Sequence, residues 1–406
     1  METIFENLTM TGKSSSIEQS INIFSEMLKN NECDLEEILN MVLNQKLPNE
    51  LRSIAWRIFL GILPKDKPFY EWYQITQNFR EKFEKLNQDE EIKKFTKVIR
   101  KESMGTLIAS SPFKYEYFAV FQEKEKISYT YDFFKSEIVG ETLIKIYLIW
   151  IKNNYEVSQL ENVNNRNFYP FYILAGIIFS LYPSILFLKP NIEEINFTEN
   201  IDPNSLFYFL NNEEFFDADV YCIFDNLMNN RNLKIMTDSF KNLNQQEWGT
   251  IKNSIVENEN FLPLNEENEI LFSNLNRFEK ISYFYLKLTH DNLLRHLFSI
   301  KLDPYDIIHI WYVSLLTSSM CFEHLSYIWD NIFAFSTYEG KYFDFLDFVI
   351  VSLINNLSQD IMIGTDIIHV KTLLMRYPEH RLKLKEIINK AFKYKEKLLE
   401  ELPFKN

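Results

Sequence analysis

The sequence predicts an all-α protein, and three observations predict it. Glycine and proline are scarce, at 8 and 12 in 406 residues, whereas sandwiches and barrels need frequent turns with special backbone angles. Beside them stand 36 Phe and 22 Tyr, a composition that suits long packed helices better than turn-rich sheets. Apolar residues also recur at three and four positions along most of the chain, the period of one helix face. At 46% apolar and 25% charged the chain can bury one large core or two smaller ones, and disorder of its bulk is excluded.

Residues 1–16 are polar, Ser-rich and without periodicity, and read as a loose leader. From Ile17 a helix face forms through Ile21, Phe24 and Leu28, followed by Leu35, Ile38, Leu39, Val42 and Leu43 on the next. Asp34 is the expected N-cap of that second helix, with Glu36 and Glu37 in its first turn. The next helix buries Leu51, Ile54, Ala55, Ile58, Phe59 and Ile62 and is expected to end at Pro64. Further helices are expected over Phe69–Leu86, Glu137–Lys152, Tyr172–Leu181 and Asp219–Asn229. The cleanest single-faced helix carries Leu346, Val349, Ile350, Leu353, Ile354 and Leu357, beginning at Asp344 or Phe345. Residues 189–217 and 240–270 are rich in Asn, Asp and Glu and read as acidic connections with short helical pieces, either solvated loop or partner-binding insertion.

Two segments raise the question of a membrane. Phe168 to Leu188 runs 21 residues without a charge, about 31 Å as a helix, long enough for a bilayer core. It contains Pro170 and Pro183, so a buried core helix entered and left at prolines is the preferred reading, and no transmembrane span is expected. The tail from Leu382 to Phe404 is a lysine-rich amphipathic helix. Glu386, Glu396, Glu400 and Glu401 dilute its charge, which favours a packed or solvated helix over one lying on an anionic surface.

The net charge of −14, with no compensating basic stripe, excludes nucleic acid as a partner. Cys33, Cys222 and Cys321 are odd in number and far apart, so neither a disulfide framework nor a cysteine zinc site is suggested, and a reducing intracellular compartment is the default. The N-terminus shows no apolar signal core and carries Glu2, Glu6, Glu18 and Glu26 before its first arginine, Arg52, the wrong pattern for a mitochondrial presequence. No Gly-rich phosphate loop, nucleophile elbow or Cys/His signature occurs. His309 with Asp303 and Asp306 is the nearest polar constellation, and a satisfied histidine at a helix start is the preferred reading. No cofactor and no metal are expected.

Three motifs, in order and spacing, carry a resemblance. Leu51-Arg52-Ser53-Ile54-Ala55-Trp56-Arg57 opens it. Trp311 then stands nineteen residues before Asp330 of Trp329-Asp330. The leucine-rich stretch Leu373-Leu374-Met375-Arg376-Tyr377-Pro378 closes it. In these the chain resembles the TBC family, the GTPase-activating proteins of Rab-type GTPases, over roughly Leu51 to Pro378. The resemblance implies a multi-helix TBC fold with N- and C-terminal helical subdomains. On that reading a leader (1–16) and N-terminal helices (17–50) precede a TBC-like domain over 51–380, and the lysine-rich helix follows over 381–406. Leu51, Arg52, Trp56, Trp311, Trp329 and Asp330 would be its structural signature.

The resemblance also says where chemistry would sit. TBC proteins supply an arginine in trans to the transferring phosphoryl group from an Ile-x-x-Asp-x-x-Arg motif, and a water-positioning glutamine from Tyr-x-Gln-Gly. Counting back without gaps from Phe133-Phe134 places Glu123 at the aspartate and Lys126 at the arginine. Counting back from Ile173-Leu174-Ala175-Gly176 places Phe168 at the glutamine and Tyr169 at the glycine. A small shift would bring Arg166 into play instead. Lysine lacks the planar fork of a guanidinium, and phenylalanine can neither donate to nor accept from water. Ser318-Ser319 stand where the family carries an Arg-Glu pair, and Ile310 where it carries an arginine. The implied function is a Rab-GAP-like protein without GTPase-activating activity, working as a protein-binding scaffold or subunit of a larger assembly. The alternative is an active Rab GAP using Lys126. Partners are other proteins, a Rab-type GTPase among them. A cytoplasmic or membrane-peripheral setting is the default, with a cilium or organellar complex also compatible.

Overall fold

A computed structural model describes residues 13–28, 33–88, 133, 137–154, 169–185, 202–230, 233, 276–336 and 343–401. These are helical and contain no strand. The chain separates into two compact units, Met1–Arg166 with Leu174–Asn230, and Asn167–Ile173 with Arg231–Asn406.

The first unit contains α1 (Lys13–Met27), α2 (Glu36–Leu43), α3 (Asn49–Phe59), α4 (Phe69–Asn87), α5 (Glu137–Asn154), most of α6 (Tyr169–Ile185), α7 (Pro203–Leu210) and α8 (Phe216–Asp225). Its core is aromatic. Phe24 of α1 meets Phe207 of α7 with ring centroids 5.5 Å apart, Tyr73 of α4 meets Phe209 at 4.6 Å, and Trp150 of α5 meets Phe224 of α8 at 5.1 Å. Edge-on and tilted aromatic pairs of this kind add to the area they bury. The short helix α7 is central to this packing. Composition marks its segment as acidic connection, yet Leu206, Phe207, Phe209 and Leu210 are all buried. Asp202 caps it by accepting from Ser205 N–H at 3.0 Å, with Pro203 in its first turn, the placement that costs a helix nothing.

The second unit contains Arg277–Glu279 and the wide turns Lys280–Tyr285, then α9 (Leu286–Ser299), α10 (Pro304–Val313), α11 (Phe322–Phe335), α12 (Asp344–Asn356), α13 (Ser358–Ile363), α14 (Ile367–Met375) and α15 (Leu384–Glu401). The centre is α12, which begins at Asp344 as its sequence suggests. The lysine-rich α15 packs on it and on α11. Phe392 lies 4.6 Å from Phe345 and 4.9 Å from Phe335, and Ser352 Oγ donates to Ile387 O at 2.8 Å. Ile387, Ile388, Ala391 and Leu398 are buried there.

Local details differ from the sequence expectation for physical reasons. The Trp56 helix ends at Phe59, before Pro64, because Gly61 adopts φ 75°. Ile62 N–H then returns to Arg57 O at 2.8 Å and Gly61 N–H to Ile58 O at 3.0 Å, the paired bonds of a Schellman cap. Asp34 accepts from Glu36 N–H at 2.9 Å, one residue outside the N-cap position. Helix α6 continues past Leu181 through Pro183 and ends at Ile185, two residues beyond that proline. No helix among the described residues is long and apolar enough to cross a membrane.

Scarcity of glycine leaves a mark on the other caps. Gln45, Lys301 and Leu315 occupy the left-handed position after α2, α9 and α10 with φ of 58°, 63° and 47°, and each closes the same pair of bonds. After α9 these run from Leu302 N–H to Leu297 O and from Lys301 N–H to Phe298 O, both 2.9 Å. A side chain in this conformation costs about 1–2 kcal/mol. Lys301 is exposed, so Lys301→Gly is expected to raise stability by about 0.5–1 kcal/mol after the added chain entropy of glycine. The check is a higher urea midpoint at unchanged slope.

Candidate functional site

Of the positions that family resemblance assigns to catalysis, Glu123, Lys126, Phe168 and also Arg166 lie outside the described residues. Tyr169 opens α6, is half-buried, and has its hydroxyl pushed up by that burial. What the structure does describe is the frame on either side.

In the first unit the frame is α3. Leu51 and Trp56 are completely buried, while Arg52 is half-buried and donates to Asn49. The next residue along, Arg57, is the one that organises the surroundings. Its guanidinium donates to Ser53 O and Ser53 Oγ on its own helix, at 3.2 and 3.3 Å, and to Leu210 O at the end of α7. It also lies 3.7 Å from Asp219 Oδ2 on α8. Arg80 of α4 grips the same carboxylate with two bonds, Nε to Oδ1 at 3.0 Å and Nη2 to Oδ2 at 2.7 Å, and reaches Phe209 O at 3.0 Å. Its flat face lies over the Phe209 and Phe215 rings, 4.6 and 4.5 Å from their centroids.

Two cations thus share one anion in a site where the three side chains are 2%, 1% and 5% exposed. Burial draws the Arg57 guanidinium down and the Asp219 carboxylate pulls it back up. The surplus positive charge is met by the carbonyls of Phe209 and Leu210, which end α7 and carry the negative pole of its dipole. Neither arginine is available to a partner protein, so the arrangement is structural. Sequence reading passed over Arg57, Arg80 and Asp219. The signal was a charged residue on each apolar helix face, with Arg80 at the spacing of the buried Trp72, Thr76 and Phe83.

In the second unit, Trp311 and Trp329 are completely buried and Asp330 nearly so. The interval between them has a physical content. Helix α10 ends when Leu316 N–H returns to Trp311 O at 2.8 Å and Leu315 N–H to Tyr312 O at 3.1 Å. Leu315 and Leu316 are both left-handed and both buried. The Trp329 indole N–H donates to Leu315 O at 2.9 Å, so the second tryptophan pins the strained turn that the first one closes. Trp311 also faces Tyr377, ring centroids 6.2 Å apart. Tyr377 in turn donates through its hydroxyl to Leu353 O at 3.1 Å and through its N–H to Ser319 O at 3.0 Å. Ser318 and Ser319 join a run of hydroxyls, with Ser314 Oγ to Ser318 Oγ 2.9 Å and Ser318 Oγ to Ser319 Oγ 3.3 Å.

The arrangement of helices matches a solved structure, the crystal structure of the Ypt/Rab-GAP domain of Gyp1p. The match covers 94% of this chain and 99% of that chain, with a TM-score of 0.56 and 14% sequence identity. The fold is that of a Ypt/Rab-GAP domain. No family model matches the sequence, and no curated protein does. The all-α, Rab-GAP-like fold class expected from the sequence is therefore the class observed; of the six residues named for it, Leu51, Trp56, Trp311, Trp329 and Asp330 are buried and Arg52 is half-buried.

The polar constellation of the sequence disperses within this Rab-GAP fold. Asp303 caps α10, accepting from Tyr305 N–H at 3.0 Å and from the Tyr283 hydroxyl at 3.0 and 3.1 Å, and Asp306 is exposed. His309 is buried among aromatics, 4.6 Å from the Phe278 ring and 6.0 Å from Tyr305.

Two outcomes are expected. Asp219→Asn leaves two buried guanidiniums without a counter-charge at nearly unchanged shape, and should lower the free energy of unfolding by about 3–5 kcal/mol in urea titrations. For His309, burial pulls the pKa down to about 4, below its ordinary value. As pH falls from the unfolded value toward 4, the unfolded chain takes up a proton that the folded chain refuses. Stability is therefore lost across that window, by about 3 kcal/mol from this group. His309→Phe should remove that component, read as the difference between the two proteins' stability–pH curves.

Proposed function

We propose that this chain is a protein-binding module on a Rab-GAP-type fold that does not accelerate GTP hydrolysis, acting as a scaffold or as a subunit of a larger assembly. Two things support the reading. The fold likeness extends over nearly the whole chain, and a fold can be kept while its chemistry is lost, since function resides in particular side chains. The sequence then has Lys126 and Phe168 where the resembled family supplies an arginine and a glutamine. That pair of substitutions carries the proposal.

The magnitudes decide between the readings. An arginine finger contributes about 10³ to 10⁵ in rate, or about 4 to 7 kcal/mol of barrier. Lysine at 126 keeps the charge as a single point without the two-pronged contact, and phenylalanine at 168 offers the attacking water nothing. Ser318 and Ser319, in place of an Arg-Glu pair, bond among the hydroxyls of their own turn, which supports a centre rebuilt for packing. The second reading, an active Rab GAP, rests on Lys126 as its donor.

Single-turnover GTP hydrolysis by a panel of Rab-type GTPases, with and without the full chain, tests this. No acceleration by the native protein, and none by Lys126→Ala, is expected. Acceleration by the native chain that disappears in Lys126→Ala would overturn the proposal and make Lys126 the finger. Phe168→Gln combined with Lys126→Arg should restore measurable acceleration if the surface still docks a GTPase.

A further inference from the structure

We propose that Cys321, His324 and Glu379 form a zinc-binding site that clips the turn before α11 to the turn after α14. This is independent of the GTPase question. Cys321 is the N-cap residue of α11 and His324 lies one turn on, so both side chains issue from the same face of the helix start. Glu379 opens the short 3-10 turn Glu379–Arg381 that follows Pro378. The Tyr377 N–H bond to Ser319 O, 3.0 Å, holds the two turns side by side. The Tyr377 hydroxyl, bonded to Leu353 O at 3.1 Å and accepting from Asn356 Nδ2 at 3.0 Å, fixes the second turn to α12.

The donor atoms of the three side chains, Sγ, an imidazole nitrogen and a carboxylate oxygen, all lie within 4.8 Å of one another, and all three residues are half-buried. A tetrahedral zinc needs its ligands about 3.5 Å apart, a closing movement of roughly 1 Å that side-chain rotation can supply. Sulfur, imidazole and one carboxylate are a donor set for zinc and a poor one for magnesium or calcium, which take oxygen. Thiolate and carboxylate together carry the two negative charges that balance a divalent cation. Three protein ligands leave the fourth position to water. Glu379 accepts a hydrogen bond from the Cys321 thiol, and zinc would replace that proton as the bridge between sulfur and carboxylate. Sequence spacing alone shows only Cys-x-x-His at a helix start; the third ligand comes from the far side of α14.

The test uses the full chain, stripped with a chelator, reloaded with zinc and desalted. About one zinc per chain is expected by elemental analysis, with a raised melting temperature. Cys321→Ser/His324→Gln should lose both effects while keeping its helical circular dichroism, and Cys33→Ser should lose neither. Cobalt(II) provides a readout on the native protein that needs no variant, a thiolate-to-metal charge-transfer band. Absence of that band, or zinc retained equally by the double variant, would overturn the proposal and leave a thiol–carboxylate hydrogen bond only.

Discussion

The first unit depends on one carboxylate. Asp219 neutralises Arg57 and Arg80, and through them joins α3 and α4 to α7 and α8, two pairs of helices far apart in sequence. Placing two guanidiniums in a dry interior is costly unless counter-charge and hydrogen bonds are supplied together. The geometry supplies both, with Arg80 Nη1 alone of its three nitrogens lacking an acceptor. Bidentate contact serves Arg80, the carbonyl end of α7 serves both, and aromatic faces cover what remains. A hydrophobic core tolerates several arrangements of similar energy, but this cluster tolerates few, because any shift strands a charge. It therefore contributes register to the unit as well as cohesion.

The second unit is governed by a different constraint, a strained turn. Two consecutive leucines in left-handed conformation would be unfavourable alone. They persist because both side chains are buried and because the Trp329 indole N–H donates to the Leu315 carbonyl. Trp311, Tyr377 and Leu353 continue the same chain of contacts to α12. The serines that follow the turn satisfy one another locally. An Arg-Glu pair at those positions would need partners, whereas hydroxyls need only the turn they sit on. The residues that hold this frame are separate in the chain from the positions that the family resemblance assigns to chemistry, Glu123, Lys126 and Phe168.

Much of this was legible in the chain. Helical periodicity located α3, α4 and α12, since one face of each buries apolar residues at three and four. The interval from Trp311 to Asp330, read with the Leu51–Trp56 motif, pointed to the fold class. Helix α7 was not legible, because eight residues carry too little periodicity to stand out among acidic neighbours. The end of α3 was misplaced because proline is a stronger stop signal by eye than a glycine three residues earlier.

What the sequence by itself determined is therefore local: which segments are helical, which face of each is apolar, and where capping residues stop them. These follow from interactions among residues a few positions apart. What only the tertiary structure decided is every pairing between residues far apart. Arg80 finds Asp219 at a separation of 139 residues, Trp329 finds Leu315 across a turn whose shape no propensity announces, and Glu379 meets Cys321 and His324 after the three helices α12, α13 and α14. A charge or a hydrogen-bonding group shows its need for a partner in the sequence. Which partner satisfies it depends on packing, because the same arginine could equally be exposed until the helices around it close.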